Sequence, residues 1–375
     1  MSKILLMCEK LSLVSHILLE YKRNKNNFFE ENDIYICLSN PATTPVYQYP
    51  TDIKYKDYPK SNNVKLKWNK NFKKMNSYKV LNEYEKGGDL CFIKNKKDFN
   101  QDFEEIVVIQ DKDYIGAYYA ISILSFVYGE NYEDKFNVSY VTYYYSENLY
   151  IETEKARSGD KSLKILFKDL ARAGKDKQYF QYNYNINSMI FFKEIFKHLN
   201  INSNVKKQKD KYKWEPNHKD INMSKNMLLL LHILYNSKYN EKFKIDFLKK
   251  GVKKSVLIDF MSSYKGSTKF TKKSKYSYFT IGSAATQYSI VNNLLDLDLI
   301  SLDKIDSEFL RSTIKGIEFF KCLNNKTFDI DLPFRLESWL DSSFDGFNIK
   351  EKIDSYLYNF FIGQKRKNNK QFKRD

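Results

Sequence analysis

The chain has 375 residues, a formal net charge of +17 and four cysteines. This length allows two or three domains with sizeable cores, and the positive charge favours a polyanionic partner such as nucleic acid. The four cysteines and four histidines show no spacing typical of a disulfide framework or a zinc site. Neither a signal peptide nor a stretch long enough to span a membrane is evident, so we expect a cytoplasmic protein without membrane contact.

The first part of the chain alternates between apolar strand-like runs and amphipathic segments. We predict strands at 3–8, 32–39, 104–110 and 135–145, and helices at 10–23 and 114–129. Strands that alternate with helices form parallel sheets covered by those helices. Residues 1–148 are therefore predicted to form an α/β domain.

After residue 149 the pattern becomes helical. We predict a helical pair at 162–199, a basic linker at 204–220, single helices at 223–239 and 244–264, a small-residue turn leading into a helix within 282–301, and further helical segments at 336–345 and 349–362. The last segment, "GQKRKNNKQFKRD" at 363–375, is strongly basic and is predicted to be a disordered tail.

Acidic residues follow two of the predicted strands. Glu9 follows the first strand, and Asp111 and Asp113 follow the strand at 104–110. Because the carboxyl ends of parallel strands meet at one edge of a sheet, we expect these side chains to lie close together. Neighbouring carboxylates repel each other unless a cation or a phosphate-bound metal lies between them. A polar loop with no ion is the alternative.

Four segments, in order, resemble the motifs of type IA DNA topoisomerases. "LLMCEKLSLVSHIL" is similar to the family's first strand and Glu-Lys-Pro-Ser turn, with Leu11 at the proline position. "VVIQDKDYIGAYYA" resembles the Asp-x-Asp-Arg-Glu-Gly-Glu motif of its Toprim domain. "TIGSAATQYSIVNNLLDLDLI" resembles the Gly-Thr-Pro-Ala-Thr-Arg segment, and "STIKGIEFF" falls where the family has a Thr-x-x-Gly turn. The resemblance spans residues 4–361.

The resemblance implies a fold and a site. The fold would be a Toprim-like domain at 1–148, a helical segment with a trimmed arch region at 149–269, and a winged-helix-like bundle at 270–362. Glu9 and Lys10 would be the catalytic pair, with Glu9 placed for proton transfer. Asp111, Asp113 and Glu9 would bind Mg²⁺, weakly or residually.

The resemblance also locates residues expected to contact DNA, and several depart from the family pattern. The position of the nucleophilic tyrosine falls on Lys242, and the arginine two residues later falls on Lys244. The Thr-Arg of the later motif is Thr286-Gln287. Tyr114 replaces the arginine, and Ala117 the last acid, of the Asp-x-Asp motif. Tyr235 and Tyr239 lie one turn apart on the preceding predicted helix, where packing is the expected role.

These departures lead to two hypotheses from different classes. The first is a topoisomerase-like protein that binds single-stranded DNA and is impaired in strand passage because it lacks the nucleophile. The second is an enzyme: a Mg²⁺-dependent DNA topoisomerase with a displaced tyrosine, or a Toprim phosphodiesterase or nuclease. The expected partners are DNA, mainly single-stranded, and a protein of DNA replication or repair.

Overall fold

The computed structural model describes residues 2–10, 12–15, 17, 32–40, 43–50, 53–62, 66–67, 90–142, 162–201, 223–267 and 279–372. The basic linker predicted at 204–220 and most of the helix predicted at 10–23 lie outside these ranges. The chain divides into two compact units. Unit 1 contains residues 1–49, 63–178 and 340–348, and unit 2 contains residues 50–62, 179–339 and 349–375.

Unit 1 is built on a five-stranded sheet in which every neighbouring pair is parallel. Its strands are β1 (Ser2–Cys8), β2 (Asn32–Leu38), β5 (Leu90–Phe92), β6 (Glu105–Gln110) and β7 (Asn137–Thr142), in the order β5-β2-β1-β6-β7. Two short strands, β3 (Val46–Tyr47) and β4 (Leu66–Lys67), form a separate antiparallel pair. The α/β prediction for this part of the chain is confirmed, although no strand was predicted at β5.

Alternate residues of the central strands enter two different cores. One face carries Ile4, Leu6, Val107 and Ile109, and packs with Leu13, Val14 and Ile17 of the segment after β1. The other face carries Leu5, Met7, Ile106 and Val108, and packs against helices α1 (Tyr114–Tyr128) and α2 (Ser162–His198). Burial on both faces explains why β1 and β6 read as continuous apolar runs rather than as alternating ones.

The helical pair predicted at 162–199 is wrong, because α2 is one continuous helix over Ser162–His198. Gly174 lies inside this helix and does not interrupt it. Gly174 instead lies against the first turn of α1, where an added Cβ would fall 2.0 Å from the carbonyl oxygen of Tyr114. The glycine is needed because the α1 backbone approaches so closely, not because the chain turns.

Unit 2 combines helices with a three-stranded antiparallel sheet. Its elements after α2 are α3 (Lys225–Tyr235), α4 (Ser237–Phe243), α5 (Phe247–Lys250), β8 (Val252–Lys253), α6 (Lys254–Ser262), α7 (Ala284–Asp296), β9 (Ile300–Leu302), β10 (Phe309–Ser312), α8 (Ile314–Cys322), α9 (Leu332–Phe344) and α10 (Lys350–Phe372). The sheet has the order β8-β10-β9. Helix α9 continues into unit 1 from residue 340.

Two helices predicted in this region are each divided. The helix predicted at 223–239 breaks at Asn236, whose extended backbone makes it the N-cap of α4 and whose side chain accepts a hydrogen bond from the Lys238 N–H. The helix predicted at 244–264 is interrupted by Gly251, with φ +74°, and by β8. Helical periodicity extended across both breaks, because short apolar segments do not distinguish a strand from a helix.

The disordered tail predicted from residue 363 is wrong as far as residue 372, because α10 continues to Phe372. Two buried amides dock this end of the helix. Gln364 donates to the carbonyl oxygen of Cys322 and accepts from the Asn324 N–H, and Asn368 donates to the carbonyl oxygen of Phe191. The lysines from which disorder was predicted share this part of the helix with the buried amides Gln364 and Asn368, which we call the polar seam. In the part of the chain that the structure describes, no helix is long and apolar enough to cross a membrane.

Candidate functional site at the carboxyl edge of the parallel sheet

The candidate site lies where β1 and β6 end. These two strands are adjacent, with Cys8 paired with Ile109. The chain runs outward from β1 to β2 and β5, and then crosses back to β6 on the other side of β1. Such a reversal opens a crevice at the carboxyl ends of the two central strands, which is where parallel sheets bind ligands. Glu9 follows β1, and Asp111 follows β6, so the predicted convergence at one sheet edge is confirmed.

Glu9 is held in a partly desolvated position. Its side chain is 13% exposed, and its Oε2 atom is buried without a hydrogen-bond partner among the described residues. Burial raises the pKa of Glu9 to about 7, and the attraction of Lys10 only partly opposes this effect. Gly116 of α1 provides the space, since an added Cβ there would lie 2.5 Å from Oε2. A carboxyl group with this pKa can hold or release a proton near neutral pH.

Lys10 places a positive charge between two carboxylates. Its Nζ atom donates a hydrogen bond to Oδ2 of Asp111 and lies 3.8 Å from Oε1 of Glu9. The bond to Asp111 is the main cause of the raised pKa of Lys10, so the amine remains protonated. The side chain is 54% exposed, which leaves the ammonium accessible to a phosphate from solvent.

Asp113 caps the helix that follows the motif. Its Oδ1 atom accepts hydrogen bonds from the backbone N–H groups of Ile115 and Gly116, at 2.8 and 2.7 Å. This is the usual role of an aspartate at a helix N-cap, and it explains one member of Asp-x-Asp without any ligand. The second aspartate of the motif therefore has a structural use that the sequence analysis did not recognise.

Gln110 is a site residue that the sequence analysis missed. It is fully buried at the end of β6, and its Nε2 atom donates to the Met7 carbonyl oxygen at 2.9 Å and to Ser39 Oγ at 2.6 Å. The side chain thus ties together the ends of β6, β1 and β2. A glutamine as the last residue of an otherwise apolar buried strand was the available signal, because a buried amide requires partners.

The Mg²⁺ expected from the resemblance has suitable donors here, but few of them. Among the described residues, no three or more His, Cys, Asp or Glu side chains are grouped to hold a metal ion. Glu9 offers the unpartnered Oε2, whereas Asp111 is already paired with Lys10. Carboxylate oxygens are the ligands that Mg²⁺ prefers, and two or three of them leave most of an octahedral shell to water or phosphate.

The remaining predicted site residues lie in unit 2. Lys242 is on α4, and its Nζ atom donates to the carbonyl oxygen of Gly266 at 2.8 Å. Burial lowers the pKa of Lys242. Lys244 ends α4 in a left-handed conformation, with φ 56°. An αL residue after a helix is a C-cap feature, so Lys244 has a structural role beside the predicted DNA contact.

Thr286 and Gln287 lie in the first turn of α7 but differ in exposure. Thr286 is exposed, and its hydroxyl donates to the Ser283 carbonyl oxygen. Gln287 is only 2% exposed and accepts a hydrogen bond from Ser262 Oγ at 3.0 Å. The expected DNA contact of Gln287 is therefore corrected: this side chain joins α6 to α7 in the interior.

The two tyrosines near the nucleophile position occupy different helices. The prediction that both lie on one helix is wrong, since Tyr235 ends α3 and Tyr239 is on α4. Tyr235 is 5% exposed, and its hydroxyl donates to the Leu299 carbonyl oxygen and accepts from the Thr313 N–H. Tyr239 is partly exposed, its ring stacks on Phe243 and makes a tilted contact with Phe328, and burial raises its pKa. Packing is the role observed for Tyr235.

Comparison with known proteins adds no relative. No protein-family model matches the sequence, and no curated protein matches it significantly.

Proposed function

We propose that this protein is a type IA topoisomerase-like, single-stranded-DNA-binding protein whose Toprim-like unit 1 binds a DNA phosphate at the carboxyl edge of its sheet. The observation that carries the proposal is the meeting of Glu9, Lys10 and Asp111 at the point where the strand order reverses. In unit 2, the order β8-β10-β9 together with α6 and α7 supports a winged-helix-like arrangement, with bounds nearer 247–312 than 270–362.

The chemistry at the edge follows from these side chains. Lys10 supplies the positive charge for a phosphate oxygen, and Glu9 can exchange a proton near neutral pH. Glu9 and Asp111 are the carboxylates that would hold a weak Mg²⁺, which would add positive charge against the phosphate; the third predicted ligand, Asp113, already caps α1. A proton or a bound cation would also give the buried Oε2 atom of Glu9 the partner that it lacks among the described residues.

Strand passage is proposed to be impaired because no tyrosine is presented at the nucleophile position. Lys242 occupies that position and cannot form a phosphotyrosine ester. Tyr235 is held by two backbone hydrogen bonds in the core. We therefore expect no covalent adduct when the protein is incubated with labelled single-stranded DNA and Mg²⁺ and resolved on denaturing gels.

The enzyme alternative is favoured by one observation, the partly buried carboxyl group of Glu9, whose Oε2 atom has no partner among the described residues. Burial raises the pKa of this group, which suits a general acid. It includes a topoisomerase that uses Tyr239 and a Mg²⁺-dependent phosphodiesterase or nuclease. A labelled protein band that disappears in Tyr239→Phe would establish the first. Cleavage of DNA without an adduct, lost in Glu9→Gln, would establish the second.

The binding site itself is tested by fluorescence anisotropy with a labelled single-stranded oligonucleotide. Lys10→Glu should weaken binding by about tenfold or more, because it replaces a charge-assisted phosphate contact with repulsion. Lys352→Glu, an exposed lysine on α10, is the matched control and should change affinity little. Equal losses in the two variants would mean that general positive charge, and not this edge, binds the DNA.

A further inference from the structure

The C-terminal third of α10 lies against residues 53–62, which we call the strap; both segments belong to unit 2. The Nζ atom of Lys365 donates to the carbonyl oxygens of Lys56 and Tyr58, at 2.7 and 2.5 Å. The same atom lies 5.9 Å from the centre of the Tyr55 ring. The strap and this end of α10 therefore form one continuous surface, which we call the strap surface.

The strap surface is strongly basic. Its exposed basic side chains are Lys54, Lys56, Lys60, Arg366 and Lys370. The sequences 53–62 and 362–372 contain one acidic residue, Asp57. Burial lowers the pKa of Lys365, and the charge of Asp57 partly opposes this effect, so the acid lies near a lysine that is already bound to the strap. The excess of exposed positive charge suits the phosphates of a nucleic acid.

Helix α8 lies on the other side of α10. Lys367 follows Lys365 by two residues, which is about 200° around the helix. Its Nζ atom donates to the carbonyl oxygens of Lys321 and Leu323 at the end of α8, at 2.5 and 2.8 Å. The exposed acid of α8, Glu318, is therefore on the far side of α10 from the strap.

The end of α2 reaches the last turn of α10, since the rings of His198 and Phe372 are 4.8 Å apart. The last acidic residue of α2, Glu194, has a side chain that is only 12% exposed, and its Oε1 atom lies 3.6 Å from Lys197 Nζ. This acid is compensated on its own helix, so α2 leaves the positive charge of the strap surface in excess.

An exposed aromatic ring precedes the basic end of α10. Tyr358 is 50% exposed and lies eight residues, or about 12 Å, before Arg366. Among the described residues of the strap and α10, it is the one large apolar side chain with such exposure. A membrane-binding helix inserts a whole apolar face, whereas one ring is enough to stack on an unpaired base. The ring therefore favours a single strand of nucleic acid as the ligand.

We propose that the strap surface is a second site for single-stranded DNA, with Arg366, Lys370 and the exposed lysines of the strap on phosphates and the Tyr358 ring on a base. The inference rests on the proposed function for the class of ligand, and it adds a site in unit 2 that does not depend on the carboxyl edge of unit 1. Because a ring stacks on any base, this site should bind without sequence preference.

The phosphate contacts are tested by anisotropy titrations of the full chain with a labelled single-stranded oligonucleotide at a series of salt concentrations. Arg366→Ala combined with Lys370→Ala should lower the log–log salt slope by about 1.4, because each phosphate contributes about 0.7. Lys352→Ala, at an exposed position of the same helix about 21 Å from Arg366, is the matched control and should leave the slope unchanged. Urea midpoints should be the same in all these variants, since the substituted side chains are exposed.

The stacking contact has a different signature. Tyr358→Ala should weaken single-strand binding by about fivefold or more without changing the salt slope, because a stacked ring neutralises no phosphate. Tyr358→Phe keeps the ring and should retain the affinity. The duplex form of the same oligonucleotide should not respond to Tyr358→Ala, since its bases are already paired and stacked.

The inference is overturned if the double variant and Lys352→Ala lower the slope equally, or if Tyr358→Ala and Tyr358→Phe bind alike. It is also overturned if the double variant leaves DNA binding unchanged but abolishes binding to vesicles that contain phosphatidylserine. Lys10→Glu tests unit 1, and its effect should add to that of the double variant. Either site can therefore fail while the other stands.

Discussion

Glu9 differs from a surface glutamate because its carboxyl group enters a partly buried position beside the first turn of α1. Its pKa is about 7 in the folded protein, against 4.5 as the ordinary value. Between about pH 4.5 and pH 7, the folded state therefore binds more protons than the unfolded state. The contribution of Glu9 to stability is therefore complete below about pH 4.5 and is lost as the pH rises toward 7.

This linkage predicts the behaviour of Glu9→Gln. The amide keeps the size of the side chain but cannot ionise, so the fall in the free energy of unfolding between pH 4.5 and 7 should become shallower. Urea denaturation at a series of pH values measures it. Glu351→Gln, at an exposed position of α10, is the control and should leave the pH profile unchanged. A profile identical to that of the wild-type protein in Glu9→Gln would show that Glu9 titrates normally.

Two glycines of unit 1 should respond differently to the same substitution. In Gly174→Ala the new Cβ meets the backbone of α1, which cannot move alone, and we expect a loss of about 2–3 kcal/mol. In Gly116→Ala the closest contact is with the end of the Glu9 side chain, which can rotate away, and the nearest backbone atom, the Asp111 carbonyl oxygen, is 3.3 Å from the new Cβ. We expect little loss of stability there, because alanine also favours the helix by about 1 kcal/mol.

Denaturant midpoints of the two variants provide the comparison. Gly116→Ala should also return the pKa of Glu9 toward its ordinary value, because the displaced carboxyl group would enter solvent. Equal destabilisation by both substitutions would contradict this account of the site.

At the scale of elements, the sequence predicted the strands and helices whose own residues form a continuous apolar run. The runs before Glu9 and Asp111 were identified as strands because both are buried on two faces, and α1 was identified from its apolar length. The elements missed were those fixed by distant contacts. Strand β5 has three residues, and β8 has two, too few to show periodicity.

The candidate site was likewise predictable only in part. The convergence of Glu9 with Asp111 follows from strand order, which periodicity and motif position indicate. The capping role of Asp113 and the buried bridge of Gln110 depend on three-dimensional contacts. Thr286 and Gln287 are adjacent in α7, but the first side chain is exposed and the second is buried, a difference that the sequence did not indicate.

The docking of α10 gives a prediction at the element scale. Asn368→Ala would remove the hydrogen bonds that this buried amide makes with the Phe191 carbonyl oxygen and with Gln364 Nε2, while Gln364 keeps its bond to the Cys322 carbonyl oxygen. Such losses cost about 1–3 kcal/mol, and we expect a decrease in the free energy of unfolding of that size. Asn359→Ala, on the exposed face of the same helix, should change stability by less than about 0.5 kcal/mol. Similar values for the two variants would mean that the seam does not hold the helix.

For the whole molecule, the net charge of +17 should appear in the salt dependence of DNA binding. Each phosphate neutralised in single-stranded DNA contributes about 0.7 to the log–log slope. Lys10→Ala should reduce that slope by about this amount, and Lys352→Ala should not. Anisotropy titrations between low and moderate salt measure both. An affinity that is independent of salt would argue for a protein partner instead of DNA.

Unit 1 is completed by a short piece of chain that comes much later than its sheet. Within residues 340–348, Asp341 accepts a hydrogen bond from the Tyr114 hydroxyl, and Ser343 donates one to Asp176. A ribosome adding about 5–20 residues per second needs roughly 9–34 s to proceed from residue 178 to residue 348. During that interval the nascent sheet lacks these closing contacts. The carboxyl edge is therefore assembled early, but unit 1 is completed only after residue 348 has been synthesised, a delay during which a chaperone could bind it.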